Sequence, residues 1–195
     1  MSSRSGSKQR NAPLAHNTVH AIVLIGFMGS GKTCVGLALS RALGWIFHDL
    51  DLHVEAQQRR TIADIFRDSG EPEFRRAEHE ALSTLLKELS PDSPAVIALG
   101  GGAFVQPGVR KLLEQVEIPV IWLDAPADEL WVRCAQQAAD RPLAREQNQF
   151  RQLYEERRKH YTEAGIHIET TGKTIDQIAQ EVVQRLRMNH VLKEK

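Results

Sequence analysis

The stretch Ile22-Val-Leu-Ile-Gly-Phe-Met-Gly-Ser-Gly-Lys-Thr-Cys34 decides the fold. An apolar run leads into Gly26-x-x-x-x-Gly31-Lys32-Thr33, a pattern typical of a loop that binds phosphate groups. Glycines allow the backbone turn and the close approach that gather N–H donors around an anion. A helix that begins after the loop adds its N-terminal amides to the site. The pattern predicts that Lys32 reaches nucleotide phosphates and that the Thr33 hydroxyl ligates Mg²⁺.

Composition limits the classes of function that fit the chain. The 195 residues suit one domain with a sizeable core. The 25 Lys and Arg residues balance 25 Asp and Glu residues, so we expect neither a nucleic-acid partner nor a membrane partner. No apolar run approaches the length of a membrane span. Cys34 and Cys134 lie far apart and have no paired-ligand spacing, which favours a reducing compartment and a cytoplasmic protein.

Residues 1–17 differ in composition from the rest of the chain. They are rich in Ser and Asn, carry basic residues and contain no acidic residue. This composition predicts a disordered N-terminal tail before a single domain at residues 18–195. A basic, acid-free start also resembles an organelle transit peptide, and both interpretations stay open.

Strand and helix patterns alternate along the domain, which predicts an α/β fold with helices on both faces of a parallel sheet. We expect strands at residues 20–25, 45–48, 95–99, 118–123 and 166–168. We expect helices at residues 31–43, 50–57, 61–70, 71–89, 107–116, 127–138, 149–163 and 174–188. The polar segment 139–148 is predicted to be a mobile lid.

Ligands of such sheets bind beyond the carboxyl ends of the strands. Residues 26–33, 49–51 and 100–102 all follow predicted strands, so we expect them to converge. Asp49 and Asp51 suit a kinase, which needs one carboxylate near Mg²⁺ and one near the attacking hydroxyl. Alternatively, Asp49 caps a helix and Asp51 is an anion in its first turn.

Three consecutive glycines, residues 100–102, suggest that other groups approach this backbone closely, although a flexible turn is the alternative. Arg75 precedes Glu78 by three residues on a predicted helix, where the two can pair. An arginine held in this way suits a substrate carboxylate, and a solvated charged face is the alternative.

Three further arginines are candidates for binding anions. Arg141 lies in the predicted lid, where an arginine can neutralise charge during phosphoryl transfer. Arg157 and Arg158 lie on a charged helix, and spacing alone does not choose among the three or exclude surface roles.

Together these residues resemble the shikimate kinase family. The matching segments are Gly26-Phe-Met-Gly-Ser-Gly-Lys-Thr33, His48-Asp-Leu-Asp51, Gly70-Glu-Pro-Glu-Phe-Arg75-Arg-Ala-Glu78, Gly100-Gly-Gly102, Arg141-Pro-Leu143 and Arg157-x-x-x-Tyr161. They agree in order and spacing from about residue 20 to 188.

The resemblance implies a three-layer sandwich of the P-loop kinase type, whose five-stranded parallel sheet has the order 2-3-1-4-5. It implies transfer of the ATP γ-phosphate to the 3-hydroxyl of shikimate, in aromatic amino-acid biosynthesis. Shikimate and ATP are the expected small-molecule partners, Mg²⁺ is the expected metal, and we expect a monomer.

The resemblance also implies roles for single residues. Asp51 binds shikimate hydroxyls and can take a proton, so it is expected to be catalytic together with Lys32 and Arg141. Shikimate is bound by Asp51, Arg75, Gly101 and Arg157. ATP is bound by Gly29, Ser30, Gly31, Lys32, Thr33, Cys34 and Arg141. Thr33 ligates the metal, and Asp49 supports it through water.

The sequence departs from the family pattern in a few places. Cys34 stands where Ser or Thr often follows the loop, and Arg133 is a possible neighbour of adenine. Two alternatives compete with shikimate kinase: another small-metabolite kinase such as gluconate kinase, and a nucleotide-binding regulatory protein without turnover.

Overall fold

The structure is a computed structural model that describes residues 20–136 and 147–189. Strands and helices alternate along these residues. The strands are β1 (Ala21–Ile25), β2 (Ile46–Asp49), β3 (Ala95–Ala98), β4 (Val120–Asp124) and β5 (Ile166–Glu169). The helices are α1 (Lys32–Leu43), α2 (Leu50–Gln58), α3 (Ile62–Glu88), α4 (Pro107–Gln115), α5 (Ala127–Gln136), α6 (Gln147–Tyr161) and α7 (Ile175–Met188).

The five strands form one parallel sheet in the order β2-β3-β1-β4-β5, which confirms the predicted topology. Every residue of β1 and β3 is buried, as expected for central strands covered on both faces. Leu24 of β1 and Asp49 of β2 are both in register with Ala98 of β3. The carboxyl ends of these three strands therefore lie side by side, and the segments that follow them meet at one edge of the sheet.

Two apolar layers hold helices against the two faces of the sheet, which confirms the predicted three-layer sandwich. Ile22 and Leu24 pack with residues of α1 and α7. Val23 and Ile25 point the other way, because side chains alternate along a strand, and they pack with residues of α2 to α6. The layer that contains α3 and α6 also carries Arg75, Arg157 and Arg158, so these helices bring distant charged residues to the sheet edge.

Local signals in the sequence explain most helix ends. Gly44 ends α1 in the left-handed conformation with φ of 70°. The Thr61 hydroxyl accepts a hydrogen bond from the Asp64 amide at the start of α3. Gly70, with φ of 77°, breaks the helical backbone within α3, as the two predicted helices at residues 61–70 and 71–89 require. Thr174 and Gln177 form a capping box at the start of α7.

The predicted limits of the charged helix, residues 149–163, are wrong by two residues at each end, because α6 spans Gln147–Tyr161. Its last turn tightens: the amides of Glu163 and Ala164 bond carbonyls three residues earlier, at 3.0 Å each. Residues 147 and 148 of the predicted lid are therefore helical.

Other predictions concern residues that the structure does not describe. The tail at residues 1–17 and lid residues 139–146, including Arg141, lie outside the described residues. The division into a tail and a domain at residues 18–195 thus stays a prediction. None of the helices within residues 20–136 and 147–189 is long and apolar enough to cross a membrane.

Candidate active site

A cavity of about 470 Å³ opens at the sheet edge where the three segments converge. Its lining includes Lys32, Thr33, Asp49, Asp51 and Gly101. The predicted convergence of the phosphate loop, the aspartate pair and the triple glycine is therefore correct. Each of the three segments contributes to the lining of this cavity.

The phosphate loop, residues 26–33, has the backbone that its glycines predict. Gly26 has φ of 149°, and a Cβ there would lie 2.5 Å from the Leu123 carbonyl oxygen. Gly31 is left-handed, with φ of 87°, and α1 begins directly after it. Ser30 is buried, and its hydroxyl has no hydrogen-bond partner among the described residues. A buried hydroxyl in such a loop suits a ligand that brings acceptor oxygens.

Lys32 lies over the loop in this structure. Its ammonium donates hydrogen bonds to the carbonyl oxygens of Gly26 at 2.9 Å and Phe27 at 3.0 Å. These bonds hold a positive charge at the mouth of the loop. A phosphate bound to the loop amides would lie beside this charge.

Asp49 uses its two carboxylate oxygens for two purposes. One accepts the backbone N–H of Asp51 at 3.1 Å, which makes Asp49 the N-cap of α2. The other accepts the Thr33 hydroxyl at 3.1 Å. Both interpretations of Asp49 from the sequence are therefore compatible. A hydroxyl and a carboxylate side by side at the cavity are the hard oxygen donors that Mg²⁺ prefers, so these residues fit the predicted metal.

Arg75 is held between two glutamates of its own helix. Its guanidinium donates to Glu71 at 2.9 Å and to Glu78 at 2.9 Å. Burial opposes the charge of Arg75, but Glu78 and Glu71 outweigh it and the pKa of Arg75 is raised. The predicted pairing of Arg75 with Glu78 is thus correct.

Glu78 is fully buried, which the sequence did not indicate. Gln106 also donates to its carboxylate, at 2.7 Å. Burial raises the pKa of Glu78 against the effect of Arg75, and Asp51 raises it further. Sequence reasoning missed Gln106, because a lone glutamine before Pro107 carries no distinguishing signal.

The triple glycine contacts three of the predicted site residues. A Cβ at Gly100 would lie 2.7 Å from a carboxylate oxygen of Asp51. A Cβ at Gly101 would lie 3.3 Å from Arg157 Nη1, and a Cβ at Gly102 would lie 2.5 Å from Arg75 Nη2. The expectation of a close approach to this backbone is confirmed, and the approaching groups are the charged side chains of the site.

The structure separates Arg157 from Arg158. Arg157 lies over the Phe27 ring, with Cζ 5.5 Å from the ring centroid, and next to Gly101. Burial lowers the pKa of Arg157, Tyr161 opposes this, and the nearby charge of Arg75 lowers it further. Arg158 instead lies over the Trp122 ring and 3.7 Å from Asp124. Arg157 and Arg75 are therefore neighbouring cations against the triple glycine, whose Gly100 and Gly101 line the cavity.

Phe27 and Arg133 connect the phosphate loop to the helices around it. The buried Phe27 ring packs edge-to-face on Phe150 and Tyr154 of α6. Arg133 of α5 donates to the Gly29 carbonyl at 3.5 Å and pairs with Glu129. The role of Phe27 was missed, because it occupies a variable position of the loop pattern.

Comparison with known proteins shows which family the chain is similar to. A family model described as "Shikimate kinase" matches residues 28–187. The shikimate kinase of Cereibacter sphaeroides is 38% identical over 186 residues, which cover 94% of this chain and 90% of that protein. That of Caulobacter vibrioides is 40% identical over 183 residues, which cover 92% of this chain and 86% of that protein.

A solved structure agrees with these sequence matches. Shikimate kinase from Acinetobacter baumannii in complex with shikimate is similar with a TM-score of 0.80 and 34% identity. The match covers 88% of this chain and 95% of that chain.

Proposed function

The chain belongs to the shikimate kinase family, and from that premise we propose a role for each site residue in the reaction. It is an ATP-dependent kinase that phosphorylates shikimate in aromatic amino-acid biosynthesis. ATP is used with a divalent metal, which we propose to be Mg²⁺. The single observation that carries the assignment of roles is that a carboxylate, Asp51, and the triple glycine line the same cavity as the phosphate loop, with two neighbouring arginines against these glycines.

Shikimate is a carboxylated polyol, so its site needs cations for the carboxylate and an anion for the hydroxyls. Arg75 and Arg157 are proposed to bind the carboxylate. They lie against adjacent glycines, Gly101 and Gly102, and their mutual repulsion would be relieved when an anion binds between them. The backbone of Gly101 completes this wall.

Asp51 is proposed to bind the hydroxyls and to accept the proton of the attacking 3-hydroxyl. It lines the cavity with Lys32 and Thr33, so an acceptor at Asp51 faces a phosphate on the loop. A carboxylate in this position orients the nucleophile and takes its proton as the new bond forms.

The ATP phosphates are proposed to bind at Gly29, Ser30, Gly31, Lys32, Thr33 and Cys34. Lys32 neutralises charge that builds up on the phosphate oxygens during transfer. Thr33 would hold the metal and Asp49 would support it, and the metal would supply positive charge that neutralises the phosphates.

Other parts of the proposal concern regions outside the site just described. Arg141 is proposed to close over the phosphates as part of a lid at about residues 139–148, excluding water and limiting ATP hydrolysis. The protein is proposed to act as a cytoplasmic monomer.

A coupled ADP-release assay tests the function with shikimate, gluconate or no acceptor. We expect Mg²⁺-dependent turnover with shikimate, and product NMR should show the phosphate on the 3-hydroxyl. Turnover with gluconate alone would identify a different metabolite kinase. Tight ATP binding without acceptor-dependent turnover would instead identify a nucleotide-binding protein that has lost catalysis.

A further inference from the structure

Tyr161, the last residue of α6, links two of the proposed shikimate-binding groups. Its side chain is almost fully buried, with 1% exposed. Its hydroxyl donates a hydrogen bond to the Gly101 carbonyl oxygen, and the Arg157 guanidinium lies near the same hydroxyl and against Gly101. One phenol thus bonds to the triple glycine and lies next to an arginine of the proposed acceptor site.

The phenol is suited to this double contact. A hydroxyl both donates and accepts, so it can satisfy a carbonyl and a guanidinium at the same time. Burial raises the pKa of Tyr161, with an opposing effect from Arg157, and the group stays protonated and able to donate at neutral pH. A phenylalanine would fill the same apolar space beside Trp122 without the cost of burying a hydroxyl.

The position of Arg157 needs such support. Its guanidinium is partly buried and lies near the like charge of Arg75, which disfavours the unliganded site. Without an acceptor at Tyr161, the long side chain of Arg157 would have more freedom to turn away from Arg75. Holding it in place before the substrate arrives lowers the entropy cost of binding.

We propose that Tyr161 is a positioning residue for shikimate: its hydroxyl fixes Arg157 against the Gly101 backbone so that the carboxylate site is formed in advance. This inference rests on the proposed roles of Arg157 and Gly101. It assigns no contact between Tyr161 and the substrate itself.

Tyr161→Phe tests the proposal, with Tyr154→Phe as a matched control. Tyr154 is buried on the same helix, and its hydroxyl donates to Asp124 at 3.3 Å and to the Ala125 carbonyl at 3.2 Å. Both variants lose one buried hydroxyl. We expect Tyr161→Phe to raise the KM for shikimate about three- to tenfold, with the KM for ATP unchanged. Tyr154→Phe should leave both KM values unchanged.

A double variant separates positioning from general loosening of the fold. If the phenol acts through Arg157, adding Tyr161→Phe to Arg157→Lys should raise the KM for shikimate less than it does in the native background. If Tyr161→Phe raises the KM for shikimate by the same factor in the native and Arg157→Lys backgrounds, the proposal is overturned. The proposal is also overturned if Tyr161→Phe has the native KM for shikimate and shows the same fall in melting temperature as Tyr154→Phe.

Fluorine NMR tests whether Tyr161 responds to shikimate in the native sequence. The chain contains two tyrosines, so 3-fluorotyrosine gives two resonances, and Tyr154→Phe assigns them. Adding shikimate should shift the Tyr161 resonance and leave that of Tyr154 in place. Unshifted resonances at saturating shikimate would contradict the proposal.

Failure of this inference differs from failure of the proposed function. If the native enzyme does not turn over shikimate, or Arg157→Lys leaves the KM for shikimate unchanged, the proposed site is wrong. If both tests succeed and only the Tyr161 results are negative, the site stands and the positioning role does not.

Discussion

Gly102→Ala should damage shikimate binding although it changes no charged residue. The added Cβ would lie 2.5 Å from Arg75 Nη2, 2.8 Å from Nη1 and 2.9 Å from Cζ. Carbon and nitrogen atoms need about 3.5 Å, so the guanidinium has to retreat by about 1 Å. The backbone of Gly102 is not in the positive-φ region, so an alanine suits its conformation and the expected effect arises from this contact.

The magnitude follows from what Arg75 loses when it moves. Its 2.9 Å bond to Glu78 stretches out of range, because Glu78 is fully buried and also held by Gln106. A hydrogen bond between charged groups is worth about 1.5–3 kcal/mol. We therefore expect the KM for shikimate to rise by about 10- to 150-fold, since each 1.4 kcal/mol is about tenfold.

Steady-state kinetics with a matched series of alanine variants provide the measurement. Gly165→Ala is the control, because a Cβ there has no neighbour within 4 Å. The KM for shikimate of Gly101→Ala should lie between those of Gly102→Ala and Gly165→Ala, since its Cβ would lie 3.3 Å from Arg157 Nη1. The KM for ATP should stay constant throughout. If the KM for shikimate is the same in Gly102→Ala as in Gly165→Ala, the position of Arg75 does not control acceptor binding.

Three other substitutions test separate parts of the site, and a fourth tests the pH dependence of stability. Lys32→Ala should lower kcat at least about 100-fold in the ADP-release assay, because a preorganised donor to the phosphates is lost. Arg75→Ala should raise the KM for shikimate about 10- to 100-fold; an unchanged value would exclude Arg75 from the carboxylate site. Asp49→Asn should raise the Mg²⁺ concentration for half-maximal activity about tenfold, measured by metal titration. His48→Gln should flatten the fall in melting temperature below pH 6.5. Burial and the neighbouring His53 lower the pKa of His48 from 6.5, against Glu88, so its neutral form stabilises the fold and that stability is lost as pH falls through the folded pKa.

The fold was predictable because its signals are local. Continuous apolar runs predicted the strands, and Thr61 and Gly70 marked the ends of a predicted helix within a few residues of those observed. The parallel sheet then required the strand ends to meet. The limits of α6 were wrong because its end depends on a tightened last turn, which no residue in the sequence marks.

The site was predictable only as a set of residue types. Three glycines indicated a close approach, but the approaching groups lie far away in the sequence and emerge only from the packing of α2, α3 and α6. Arg157 and Arg158 are adjacent in sequence and about 100° apart around the helix. Which one lies against Gly101 depends on how α6 is rotated against the sheet, and no spacing in the sequence reports that rotation.

The position of α6 connects the two halves of the reaction. Its middle packs on the phosphate loop, where Tyr154 meets the Phe27 ring at 5.5 Å and Arg157 lies over the same ring. Its last residue, Tyr161, donates a hydrogen bond to Gly101 of the triple glycine, which is part of the proposed shikimate site. A helix is stiff over two turns, so a displacement of α6 would move Arg157 relative to both loops at once. The nucleotide and acceptor sites thus share one structural support, and Arg157 lies at the point where the two meet.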